Sequence, residues 1–125
     1  MSRLVSLAFL FAACTSNGND PVACQGDHCV CDADACDHTC TPGAAECHVQ
    51  GGTGPVEVHC NDNAECHVEC TNSATCDVDC GGSTECHVTC PASGCTVTGC
   101  AGEGCVVTCG LGTVPTEHGT TATCP

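Results

Sequence analysis

From residue 56 onward, apolar and polar residues alternate in runs of five, and each run is followed by a short stretch of turn-forming residues. Val56-Glu57-Val58-His59-Cys60 opens the series and is followed by Asn61-Asp62-Asn63-Ala64-Glu65. Cys66-His67-Val68-Glu69-Cys70, Cys76-Asp77-Val78-Asp79-Cys80 and Cys86-His87-Val88-Thr89-Cys90 continue it. Cys95-Thr96-Val97-Thr98-Gly99-Cys100 and Cys105-Val106-Val107-Thr108-Cys109 complete it, and Cys47-His48-Val49-Gln50-Gly51 is an earlier partial copy. The unit is C-x-V-x-C with a period close to ten. Within it Cys, Val and Cys fall on one face and His, Glu, Asp or Thr on the other, which is the signature of a half-buried strand. The linkers are built from Gly, Ser, Asn, Pro and Ala, residues that make turns. Short strands at regular spacing predict an all-β, small disulfide-rich fold, a Cys-stapled β-solenoid. One decapeptide per coil and two per coil both fit the pattern.

The period divides the chain. Residues 56–109 are the solenoid and 24–55 an irregular Cys-rich cap that includes the first partial repeat. Residues 110–125 form a C-terminal cap, 14–23 a polar tether with Gly and Pro, and 1–13 a signal peptide.

Strand geometry constrains the cysteines. Two Cys four apart on a strand are separated by about 13 Å, whereas a disulfide needs Cα atoms within roughly 4.4–6.8 Å. Pairs that span a turn can close: Cys60–Cys66, Cys70–Cys76, Cys80–Cys86, Cys90–Cys95 and Cys100–Cys105, leaving Cys109 for Cys124. Three further bridges fall among Cys24, Cys29, Cys31, Cys36, Cys40 and Cys47, with connectivity open.

Composition explains why cross-links are needed. Both Phe, the only Met and the only basic residue, Arg3, lie within the first 13 residues. Beyond them there is no aromatic residue, no Ile and a single Leu, Leu111. Val and Ala bury little area each, so disulfides or metal must supply what an ordinary core would. The net charge is −14. With no base after Arg3, nothing can neutralise phosphates, which excludes nucleic acid as a partner and electrostatic docking onto anionic lipid. The charge favours cationic proteins or divalent ions.

The N-terminus reads as an address. Met1-Ser2-Arg3 is a short basic segment, and Leu4 to Phe11 is an apolar run of eight residues, too short to span a bilayer as a helix. Phe11-Ala12-Ala13-Cys14 follows, and the whole resembles a bacterial lipoprotein signal, with Phe11 where that family prefers Leu. The resemblance implies cleavage before Cys14, a diacylglycerol thioether on its sulfur and acylation of its new amine, as with palmitate. It covers residues 1–14 only. Thr15, where Asp would favour retention in the inner membrane, implies the outer membrane in a host with two membranes. The partner implied is therefore the envelope membrane, through lipid. No A-x-A site supports the alternative of ordinary secretion. Parity agrees, since removing Cys14 from 19 Cys leaves 18, enough for nine disulfides.

The C-x5-C spacing resembles the disulfide-stapled solenoids of insect antifreeze proteins. That family uses a regular T-x-T column, and Thr96-Val97-Thr98 is the only such triplet here, with echoes at Thr89 and Thr108. The likeness therefore implies architecture and not ice binding. Metal sequestration is the main alternative function. Metallothionein-like chains also lack aromatics, but one C-x-C, no C-x2-C and an export signal argue against thiolate clusters. A looser site for a divalent cation, the only cofactor the sequence suggests, would use His67, Glu69, Asp77, Asp79 and His87 on the polar face. If two decapeptides make a coil, His67 and His87 stack. His28, His38 and His48 are ten apart, which repeat ancestry explains, and His59 and His118 have no constellation. Asn61-Asp62-Asn63 reads as a turn, since no calcium-loop Gly and Glu follow it. No nucleophile-base arrangement, phosphate loop or apolar pocket is legible, so no catalytic residue is expected. The expectation is a non-enzymatic, lipid-anchored envelope or surface protein with a structural or interaction role.

Overall fold

In the computed structural model, which describes residues 22–125, the period-two burial pattern becomes twelve short strands, with no helix among the described residues. They are β1 (Val22–Gln25), β2 (His28–Cys31), β3 (Cys36–Thr39), β4 (Glu46–Gln50), β5 (Pro55–His59) and β6 (Glu65–Glu69). They continue as β7 (Thr75–Asp79), β8 (Glu85–Thr89), β9 (Cys95–Thr98), β10 (Cys105–Thr108), β11 (Thr116–His118) and β12 (Thr121–Cys124). The signal segment and Cys14 lie outside the described residues.

Successive strands alternate between two six-stranded sheets, one ordered β1-β2-β4-β6-β8-β10 and the other β11-β12-β9-β7-β5-β3. We call them sheet I and sheet II. From β2 to β10 the pairing is parallel, each strand bonding the next but one in sequence. Cys66 is level with Cys86, and Val56 with Cys76. A coil therefore holds two decapeptides, one strand per sheet, which decides the question the period left open. The molecule is a small disulfide-rich β-solenoid with four complete coils, β2–β3, β4–β5, β6–β7 and β8–β9.

The interior is two columns of valine between two columns of cystine. Val49, Val68 and Val88 point inward from sheet I and Val56, Val58, Val78 and Val97 from sheet II, all buried. At one edge, Cys40–Cys47, Cys60–Cys66, Cys80–Cys86 and Cys100–Cys105 tie each sheet II strand to the next sheet I strand. At the other edge lie Cys31–Cys36, Cys70–Cys76, Cys90–Cys95 and Cys109–Cys124. The second column misses one rung. There Gly51 and Val56 stand where cysteines would, and a Cβ on Gly51 would come within 2.9 Å of Val56 Cγ2. The ninth disulfide, Cys24–Cys29, crosses the β1–β2 hairpin between directly opposed residues.

Side chains stitch coil to coil at the corners. Asn63, 1% exposed, donates from Nδ2 to the carbonyls of Thr41 (2.8 Å) and Ala44 (3.4 Å) in the coil before it. Ser73 Oγ does the same to Gly52 O at 3.0 Å, and Ser93 Oγ to Ala74 O at 3.0 Å. Asn61 and Asp62 turn the chain with φ of 52° and 55°, and the stacked corner one coil on uses Gly81 and Gly82.

Residues 28–50 depart from the irregular cap expected of them. β2 and β3 continue both parallel ladders, His28 level with His48 and Cys36 with Val56. They are the first coil of the solenoid, at the same twenty-residue step as later coils, and the repeat is obscured there because Cys29 and His38 stand at valine positions. The antiparallel strand β1 extends sheet I beyond them. At the far end β12 pairs antiparallel with β9 and carries β11 with it.

Candidate functional site

Because each sheet collects every second decapeptide, chemistry that alternates along the chain is sorted onto opposite faces. The outer face of sheet I receives His28, His48, His67 and His87, aligned in register across four coils. Their rings follow one another at 4.8, 4.7 and 4.8 Å between centroids. The first three are nearly parallel, with interplanar angles of 15° and 23°, and His87 is turned edge-on at 69°. Val106 continues the column in β10.

A carboxylate column runs beside the imidazoles. Glu46, Glu65 and Glu85 are level with one another, each two residues before a ladder histidine. Glu46 Oε2 lies 3.9 Å from the Nε2 atoms of both His28 and His48, and Glu65 Oε2 lies 3.8 Å from His67 Nε2. These separations exceed a hydrogen bond. Side-chain exposure is 61%, 42% and 35% for His28, His48 and His67, so the rings are free to lean. Gln50, Glu69 and Thr89 form the column on the other side of the histidines, across a shallow groove.

The five polar-face residues expected to act together are divided. His67, His87 and Glu69 share sheet I, while Asp77 and Asp79 project from sheet II on the other side of the molecule. Alternation of decapeptides between sheets is the reason. Asp77 and Asp79 instead join Glu57 and His59, which β5 brings level with them. His59 donates from Nε2 to Glu57 Oε1 at 3.3 Å, and its Nδ1 lies 3.8 Å from Asp79 Oδ2. The expectation that His59 has no constellation is thus corrected, since parallel pairing supplies neighbours from the adjacent coil. His118 lies in exposed β11.

His38 is unlike the other histidines. It is level with Val58 and faces inward, in a column otherwise valine. Its Nδ1 is 3.4 Å from Cys29 Sγ and 3.8 Å from Cys24 Sγ, while Nε2 is 3.5 Å from Asp27 Oδ1. Asp27 Oδ1 in turn accepts from Thr41 N at 2.9 Å. His38 is also grouped with the sulfurs of the Cys40–Cys47 disulfide, and the remaining close groupings, Cys60 with Cys66 and Cys86, and Cys90 with Cys95 and Cys124, are sulfurs of neighbouring disulfides in the core. A disulfide sulfur has no thiolate to offer a metal.

Sequence reading singles out His67 and His87 but not the three glutamates, nor His28 and His48 as their partners. The signal was present: Glu-Cys-His-Val recurs at 46–49, 65–68 and 85–88, at twice the decapeptide period. Compared with protein-family models, curated proteins and solved structures, the chain matches none significantly. Among the described residues, no helix is long and apolar enough to cross a membrane.

Proposed function

We propose that this chain is an exported, lipid-anchored, non-enzymatic protein of the bacterial envelope or cell surface, acting as a durable structural and interaction module. The observation that carries this reading is its division of labour. Nine disulfides and the valine columns fill a narrow interior, and chemically distinctive side chains stand on two outer faces. So many disulfides belong to an oxidising compartment. With Cys14 held by lipid and cut from its leader, the remaining 18 Cys make nine pairs with none left over. Acyl chains contribute about 0.8 kcal/mol per buried methylene, so several chains hold firmly. Placement in an outer membrane, where the host has one, follows from Thr15.

Intact mass of the protein purified from membranes, before and after alkylation without reductant, tests the reading. A mass of residues 14–125 plus lipid, short by about 18 hydrogens and unchanged by alkylator, is expected. A lipid-free mass beginning elsewhere would replace anchoring with secretion. Extensive alkylation would overturn the stapled module and favour thiolate-based metal sequestration. The partners that suit the module are cationic proteins or divalent ions, since it has no base to meet an anion.

A further inference from the structure

The geometry points to a transition-metal site on the outer face of sheet I, made by the histidine ladder and the glutamate column beside it. The inference goes beyond the envelope-module reading and does not rest on lipid anchoring or on reduced thiols.

The donor set is the first argument. Glu46 Oε2 stands 3.9 Å from Nε2 of both His28 and His48, while the two nitrogens lie too far apart to share an ion as they stand, so the exposed rings must lean together to close on one. A zinc-type ion binds nitrogen and carboxylate oxygen at about 2.0–2.2 Å, so two ligands of one ion are roughly 3.3–4.3 Å apart. The observed 3.9 Å for both pairs falls within that span, too long for a hydrogen bond but suited to an ion between the groups. One coil on, Glu65 stands 3.8 Å from His67 Nε2, with His87 edge-on to His67 and Glu85 level with Glu65. Each histidine can serve only one ion, so His28, Glu46 and His48 make one site, and His67 and His87, with Glu65 near the first, offer a second.

Charge is the second argument. Among residues 4–125 there is no Lys or Arg, so the glutamate column has no permanent cation to balance it. Divalent ions shared between the imidazoles and the carboxylates would supply that balance.

The third argument is stiffness. A metal site needs its ligands on rigid elements. These project from four parallel strands whose inward neighbours are buried valines and cystines, and the register holds although the step is 19 residues from Cys47 to Cys66 and 20 from Cys66 to Cys86. Two nitrogens and one oxygen per ion select Cu²⁺ and Zn²⁺ over Ca²⁺ and Mg²⁺, which require six or more oxygens.

Calorimetric titration of the full mature chain, its disulfides verified by inertness to alkylation, tests this with ZnCl2, CuCl2 and CaCl2 in turn. Saturation near two zinc or copper ions per chain is expected, with copper tighter and calcium no competitor. His48→Gln should reduce two ions to one. The variant carrying His28→Gln, His48→Gln, His67→Gln and His87→Gln should lose at least about ten-fold in affinity, since altering even the partners of ligands costs that much. His59→Gln on sheet II should keep both ions. Independently of any variant, zinc should shift the imidazole resonances of the four ladder histidines and leave His118 in place. The proposal is overturned if the wild type takes up zinc no better than calcium, if the quadruple variant binds as the wild type does, or if zinc leaves the ladder resonances unmoved.

Discussion

Small polar side chains at the corners of the coil do work that large apolar ones do elsewhere. Asn63 is buried in a chain with no aromatic core, and it stays there because two carbonyls of the preceding coil accept its amide protons. Asn63→Ala would remove both side-chain bonds between the coils, while Thr41 O and Ala44 O keep the backbone donors Ala44 N and Ala64 N, so the cost should be about 0.5–1.5 kcal/mol. A lower guanidinium midpoint, measured with disulfides intact, is the expected result, and an unchanged midpoint would mean water replaces the amide. Gly104 marks a different demand. A Cβ there would run into the backbone oxygen of Thr84, and the carbonyl of Gly104 accepts from Cys86 N at 2.8 Å. Gly104→Ala should therefore push β10 off β8 and abolish hydrogen-exchange protection at Cys86. Asp27 and His38 are a third case, a carboxylate and an imidazole inside the first coil where later coils carry Cys47 and Val58. Asp27→Ala should lower stability by about 1–2 kcal/mol, because Thr41 loses the acceptor for its backbone amide. Retained protection of the Thr41 amide would contradict this.

At the scale of the strand, stability is divided between a valine column and the disulfide at each end. Cys80–Cys86 closes a loop of seven residues, counting both ends. In the chain-entropy picture such a closure contributes about 2.4 kcal/mol. Replacing both cysteines with Ala should remove about that much, read from denaturant unfolding of the otherwise oxidised protein. A loss of less than about 1 kcal/mol would mean that ladder hydrogen bonds and valine packing already hold the corner. Strands were the most legible part of this sequence. Cys-x-Val-x-Cys fixes which face is buried, because a slip of one residue would put Cys and Val outside and Asp or His within. The strands of residues 28–50 were less legible, since His38 stands at a valine position and Gly51 at a cysteine position, and both blur the repeat.

Across the described residues as a whole, strands pack chiefly against strands of neighbouring coils, so the stack behaves as a one-dimensional assembly. Its acidity is spread over that length without any Lys or Arg to offset it after Arg3, and the net charge is −14. Raising sodium chloride from about 10 mM to about 150 mM shortens the screening length from roughly 30 to 8 Å. The melting temperature should rise as a result, because repulsion among carboxylates is greater in the folded stack than in the open chain. A melting temperature insensitive to salt would indicate that the carboxylates are already neutralised, as bound divalent ions would do.

The sequence by itself determined the strand faces, the turns and the all-β solenoid class, since these depend on residues within ten of one another. It also held the double period in Glu-Cys-His-Val, which local alternation conceals. Only the tertiary structure decided that two decapeptides make a coil, that His67 and His87 share a face which Asp77 and Asp79 do not, and that Glu46 lies midway between His28 and His48. Those relations join residues a full coil apart. They follow from which strands pair, and pairing is set by how the valine and cystine columns close over one another, a collective property that no local spacing encodes.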